Sequence, residues 1–134
     1  MAQTHAPPPP SFRGRNFGIT VLVVTQYIIS VIHVSLGLVL FFSSPDIYSV
    51  YTIIFGVLAA AFAYCLWNGK KWGWIGTVAV SVFVIIVDSL TLLNLPSIPG
   101  IPKFAGFGEI SYSVLLLFYL SQDRVRTKYK ILQK

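Results

Sequence analysis

Four long apolar segments, separated by short polar connections, constrain this chain more than any other feature. They cover residues 17–42, 47–67, 72–95 and 104–121. An α-helix rises about 1.5 Å per residue, so about 20 residues cross the roughly 30 Å hydrocarbon core of a membrane. The composition agrees, because 55% of the 134 residues are hydrophobic and only 10% are charged. A small soluble core cannot bury that much apolar surface. We therefore predict four transmembrane helices.

The connections between these segments predict how the helices are arranged. The first two, residues 43–46 and 68–71, are short enough to make consecutive helices antiparallel neighbours. The third, residues 96–103, contains three prolines and cannot be helical throughout, so it forms either an ordered outer loop or a shallow re-entrant turn. We predict an all-α membrane protein in which residues 17–121 form an antiparallel four-helix transmembrane bundle.

The basic residues predict the orientation of this bundle. Of the ten Lys and Arg residues, only Lys103 lies in the third connection, and the others lie in the two tails and the middle connection. Short loops rich in Lys and Arg stay on the cytoplasmic side of a membrane. The proline-rich tail of residues 1–16, the middle connection and the tail of residues 122–134 are therefore predicted to be cytoplasmic.

Membrane lipids are the first predicted partner, because basic residues beside apolar spans attract anionic headgroups on the cytoplasmic side. The C-terminal tail also places Val125, Tyr129 and Leu132 on one helical face, as in an amphipathic helix lying on lipid. A solvated basic tail and a tail docked to a protein partner are the alternatives. We expect no nucleic-acid partner. The residues predicted to face lipid headgroups are Lys70, Lys71, Arg124, Arg126, Lys128 and Lys130.

Polar side chains within the first and third segments follow a helical period. A buried polar or charged group is costly inside a bilayer, about 2.5 to 3.5 kcal/mol for a charge at its centre, so such residues usually face protein. Two polar seams are predicted, and each should face the interior of the bundle. The seam residues are Gln26, Ser30 and His33 in the first segment, and Thr77, Ser81 and Asp88 in the third.

Four side chains reach a similar depth in the membrane. By the helical rise, His33 and Asp88 both lie roughly 24 Å from the inner boundary, and Glu109 and Tyr51 enter the same outer half from the other side. They form a predicted intramembrane cluster with four open interpretations. It is a hydrogen-bonded plug that fixes packing, a proton or cation site, a metal site of one histidine and two carboxylates, or a set of residues that never meet. No ligands stand at a diagnostic spacing, so we predict no metal and no other cofactor.

Small residues on the second segment predict close helix packing. Gly56, Ala59, Ala60 and Ala63 form overlapping pairs of small residues four positions apart, which let helix backbones approach closely. They can pack within the chain, or against another subunit or a second copy. Cys65 is the only cysteine, so it forms no internal disulfide and is expected to pack.

The turn Trp-Asn-Gly-Lys-Lys-Trp-Gly-Trp of residues 67–74, and a Tyr-Leu step at residues 119–120 before a basic tail, resemble a group of small four-helix prokaryotic membrane proteins. The resemblance implies a multi-pass protein of a prokaryotic plasma membrane. The chain is also similar in size and number of spans to small multidrug transporters. That family relies on a central glutamate in its first helix, whereas the first segment here has Gln26 and His33.

Two functional hypotheses follow. No nucleophile with an adjacent base, nucleotide-binding loop or metal motif appears in the sequence, so we do not expect an enzyme. The first hypothesis is an accessory or structural subunit of a larger membrane complex, docked through its small residues and tails. The second is an oligomeric, proton-coupled carrier of a small ion or solute that uses the intramembrane cluster.

Overall fold

The computed structural model describes residues 17–131, so the tail of residues 1–16 and residues 132–134, including Leu132, lie outside it. Within residues 17–131 the chain is helical and contains no strand. Four helices are long and apolar enough to span a membrane, which confirms that part of the prediction. The helices are α1 (Phe17–Ser43), α2 (Ile47–Trp67), α3 (Lys71–Leu92), α4 (Lys103–Ser121) and a short α5 (Asp123–Lys128).

The helix ends follow local capping chemistry. At the start of α2, the Asp46 carboxylate accepts a hydrogen bond from the Ser49 N–H, and the Ser49 hydroxyl accepts one from the Asp46 N–H. At its end, Gly69 adopts a positive φ of 67°, which lets the N–H of Lys70 reach back to the carbonyl of Cys65. The N-terminal cap at Asp46 and the C-terminal turn at Gly69 explain why the predicted and observed bounds of α2 agree.

α3 ends at Leu92, three residues before the predicted end at residue 95. Asn94 has a positive φ of 56°, and the Leu95 N–H returns to the Leu90 carbonyl, so the chain leaves the helix here as it does at Gly69. α4 begins at Lys103, which was predicted to lie in the loop, and the Lys103 ammonium donates to Asn94 Oδ1 at 2.6 Å. The non-helical connection is therefore residues 93–102.

The long helices pack in chain order, α1 on α2, α2 on α3 and α3 on α4. α1 and α2 approach most closely at two glycines. A methyl group at Gly37 would collide with the α2 backbone near Ile53, and one at Gly56 would collide with α1 near Val34. Backbone contact of this kind is the usual source of helix association in lipid, where the hydrophobic effect between helices is absent.

The end of the bundle that carries Lys70 and Lys71 is closed by a buried core that includes α5. The Tyr129 hydroxyl donates to the Leu66 carbonyl at 2.8 Å, and the Trp74 indole N–H donates to the Leu120 carbonyl at 2.9 Å. Val125 and Tyr129 pack against the bundle here, where an amphipathic helix would have placed them on lipid. We call this the basic-end core, which consists of Ile19, Val23, Ala63, Leu66, Leu116, Leu120, Val125 and Tyr129.

Candidate functional site

The two polar seams face the interior of the bundle. Gln26 and Ser30 of α1 are buried, and so are Thr77 and Ser81 of α3. Gln26 Nε2 donates to Thr77 Oγ1 at 3.4 Å, a contact that joins the two seams directly. The Ser30 hydroxyl donates instead to the Gly56 carbonyl of α2 at 2.7 Å.

His33 of α1 meets Glu109 of α4, with His33 Nε2 at 3.3 Å from Glu109 Oε1. His33 Nδ1 lies 2.8 Å from the carbonyl oxygen of Ile29. A carbonyl oxygen only accepts hydrogen bonds, so Nδ1 carries a proton. A hydrogen bond between Nε2 and Oε1 then requires a second proton on one of these two groups. The pair is therefore a place where a proton can be exchanged between a histidine and a glutamate.

Asp88 of α3 lies behind this pair and has no exposed surface. Neither of its carboxyl oxygens has a hydrogen-bond partner among residues 17–131. It packs against Gly106, one helical turn before Glu109 on α4, and lies within electrostatic range of both Glu109 and His33. Buried carboxyl groups are normally paired or hydrogen-bonded, so Asp88 is the most unusual polar group in the described chain.

Tyr51 of α2 forms no side-chain hydrogen bond with the three ionisable groups. Its ring stacks with Tyr48 and Phe55, and Phe55 in turn contacts the His33 ring at a centroid distance of 4.7 Å. The Tyr51 hydroxyl is buried and has no hydrogen-bond partner within residues 17–131. Of the four residues in the predicted cluster, the structure therefore brings His33, Asp88 and Glu109 together and places Tyr51 behind Phe55.

A cavity of about 310 Å³ lies between the four long helices and reaches from Gln26 to Glu109. Most of its wall is apolar, and Phe104 and Gly108 of α4 are the exposed members of its lining. They therefore mark the side on which the cavity opens. Two buried polar atoms of the lining, Gln26 Oε1 and Tyr112 Oη, have no hydrogen-bond partner within the described chain.

Of the α4 residues that line this cavity, only Glu109 was predicted from the sequence. On α4, the positions of Gly106, Glu109 and Ser113 are three and four residues apart, so they share one helical face, as the seam residues of α1 and α3 do. Tyr112 lies beside them. This third polar stripe was available as a signal. It is harder to recognise because α4 is the shortest of the four long helices and carries polar residues on other faces as well.

The remaining predicted positions have simpler surroundings. Gly56, Ala59 and Ala63 are buried within the chain, and Ala60 is half-buried. Among residues 17–131, no three His, Cys, Asp or Glu side chains are placed so that they could hold a metal ion. Of the basic residues predicted to face lipid headgroups, Arg126 is half-buried and the others are exposed: Lys70, Lys71, Arg124, Lys128 and Lys130.

No protein-family model, curated protein or solved structure matches the chain. The similarity of the turn at residues 67–74 to small prokaryotic membrane proteins stays a prediction. The features that bear on function are His33, Asp88 and Glu109, and the cavity that His33 and Glu109 border.

Proposed function

We propose that this chain is a multi-pass membrane carrier that exchanges protons for a small cationic solute at His33, Asp88 and Glu109. The observation that carries the proposal is the buried Asp88 carboxyl group without a hydrogen-bond partner, beside a histidine and a glutamate whose side chains are in contact. Even with His33 protonated, two ionised carboxylates leave one negative charge uncompensated. In a low-dielectric interior that charge requires a proton or a cation, and the two compete for it.

The proposal includes a topology. We infer an antiparallel bundle with both termini and the basic-end core on the cytoplasmic side, because the basic residues concentrate there. The ion site then lies in the outer half of the membrane, separated from the cytoplasm by the basic-end core. A prokaryotic plasma membrane is the proposed location, on the resemblance of the turn at residues 67–74.

Single cysteines test this topology. Cys65 is the only cysteine, so one substitution provides a background without thiols. Ser44→Cys and Asn68→Cys place a thiol in exposed turns at opposite ends of α2. We expect a membrane-impermeant maleimide to label Ser44→Cys on intact cells and Asn68→Cys only after permeabilisation. The reverse pattern would overturn the orientation.

The exchange itself is tested in proteoliposomes that contain a pH-sensitive dye. An inward gradient of a small cation, from a panel of inorganic and organic ions, should drive protons outward. Asp88→Asn and Glu109→Gln should abolish this proton movement, whereas Asp123→Asn, at an exposed carboxylate of α5, should leave it unchanged. If no cation moves protons, the chain is not an exchanger. If both site variants behave as an active wild type, exchange does not use this site.

The accessory-subunit hypothesis stays a second proposal, with less support from the geometry. The small residues that suggested it are engaged inside the chain, where Gly56 contacts α1 and Ala59 and Ala63 are buried. Docking to other membrane subunits, or to a second copy in a homo-oligomer, would need another surface. Affinity purification in mild detergent separates the proposals, because an accessory subunit should be recovered with the same larger partner in stoichiometric amounts.

A further inference from the structure

The cavity beside the ion site has two chemically different ends. Glu109 borders one end, and Gln26 lies at the other, seven residues from His33 along α1. By the helical rise, the two ends are roughly 10 Å apart. The acid end offers a carboxylate, with the Asp88 charge behind it. The far end offers Gln26 Oε1, a hydrogen-bond acceptor.

Gln26 is built to receive a donor. Its side chain is 5% exposed, and its Nε2 already donates to Thr77, so Oε1 is the part of the amide left without a partner. Gln26 borders the cavity, and its Oε1 is buried and has no partner among residues 17–131. A buried carbonyl oxygen without a partner carries a desolvation cost, which a ligand donor would remove.

The wall between the two ends favours an apolar body. Phe55, Phe104 and Tyr112 contribute aromatic surface, and Ile29, Val80 and Val84 contribute aliphatic surface. A lone inorganic cation would leave most of about 310 Å³ empty, and apolar walls hold water poorly. An ammonium ion next to aromatic rings is favourable in itself.

We propose, building on the exchange function above, that the solute is a primary or secondary organic ammonium ion with an apolar body and a hydrogen-bond donor at its far end. The ammonium group takes the place of the His33 imidazole at Glu109, and the distal donor reaches Gln26 Oε1. An N–H of the ammonium is needed because the carboxylate accepts hydrogen bonds. A quaternary ammonium ion of the same size lacks that donor and binds more weakly.

Four probes with a common phenyl body test the ligand class on the full chain in lipid nanodiscs. Tyramine and 2-phenylethylamine should bind, with tyramine about three- to tenfold tighter because its phenol supplies one hydrogen bond. Phenyltrimethylammonium should bind at least tenfold more weakly than 2-phenylethylamine. 2-Phenylethanol, which is neutral, should not bind measurably. Equal binding of the neutral alcohol and the amine would overturn the inference.

Variants test each end of the cavity separately. Gln26→Leu should reduce tyramine binding to the level of 2-phenylethylamine and leave 2-phenylethylamine unchanged. Thr77→Val is the matched control, because it breaks the same Gln26–Thr77 hydrogen bond and keeps Gln26 Oε1, so it should preserve the preference for tyramine. If Thr77→Val loses the preference for tyramine and Gln26→Leu keeps it, Gln26 does not recognise the distal donor. Glu109→Gln should remove binding of both amines.

The mouth of the cavity offers an independent variant. A Cβ at Gly108 meets no atom within 4 Å, so a larger side chain fits without disturbing the helices. Gly108→Leu should slow amine association at least tenfold while its thermal stability stays at the wild-type level. If inorganic cations drive proton exchange through Glu109 but no amine binds, the inference about the solute fails and the exchange function stands. If neither occurs, both fail.

Discussion

Replacing Asp88 by leucine and by asparagine separates a structural role of this residue from a functional one. The Asp88 side chain is fully buried, and neither carboxyl oxygen has a partner among residues 17–131. An unsatisfied buried polar group costs about 1 to 3 kcal/mol. Asp88→Leu should therefore stabilise the fold by about 1 to 3 kcal/mol. Asp88→Asn keeps an unsatisfied polar group and should change stability by less than about 1 kcal/mol.

Ser30→Ala is the matched control, since Ser30 is also buried but does have a partner. Its hydroxyl donates to the Gly56 carbonyl, and losing such a bond in a membrane costs on average about 0.6 kcal/mol. We predict that Ser30→Ala lowers the free energy of unfolding and that Asp88→Leu raises it. Reversible unfolding in mixed detergent micelles, followed by tryptophan fluorescence, measures both. A loss of more than 1 kcal/mol in Asp88→Leu would mean that Asp88 holds the helices together, as in the plug interpretation.

Two further predictions concern packing and the docked α5. A methyl group at Gly73 would collide with the α2 backbone at Leu66, so Gly73→Ala should cost about 1 to 3 kcal/mol, whereas Gly108→Ala should be neutral or stabilise by up to about 1 kcal/mol. Similar unfolding curves for the two variants would contradict this packing. Tyr129→Phe should cost about 1 kcal/mol at neutral pH, because it removes the bond to the Leu66 carbonyl. Burial raises the pKa of Tyr129 from 10.0 to about 12, so the wild type should lose stability as the pH rises through this range. Tyr129→Phe should lose less stability than the wild type over this range, and an equal loss in both proteins would exclude Tyr129 as the origin.

The helices could be predicted from the sequence because each depends on local properties. The length of the apolar runs gave four spans, and the cap at Asp46 and the glycine at position 69 make the bounds of α2 sharp. The end of α3 was placed too late because Leu93 and Leu95 extend the apolar run beyond the helix. Asn94, which tolerates a positive φ, was the signal for the earlier stop.

The site depends on helix rotation, which no local property reveals. Depth could be compared between helices because the rise per residue is constant, and His33 and Glu109 do lie in contact. Depth alone could not show that Phe55 stands between Tyr51 and His33, nor that Asp88 packs on Gly106. Both follow from how α2 and α3 rotate against their neighbours. The tail was similarly ambiguous, because one apolar face suits lipid and protein equally, and Tyr129 packs on protein.

The contrast between the two ends of the bundle bears directly on function. In the basic-end core the polar atoms of Trp74 and Tyr129 are satisfied by backbone carbonyls, and the rest of the packing is apolar. Beyond this core, Asp88 and Gln26 bury polar atoms without partners in the described chain, and so does Tyr112, which borders both the core and the cavity. Most proteins satisfy such atoms, so their presence in the cavity lining and beside it points to partners that arrive from outside, namely protons and a donor-bearing cation. The packing of the basic end can offset this cost, because the polar side-chain atoms of Trp74 and Tyr129 have partners. Substitutions that stabilise the outer half, such as Asp88→Leu, should then be the ones that abolish exchange.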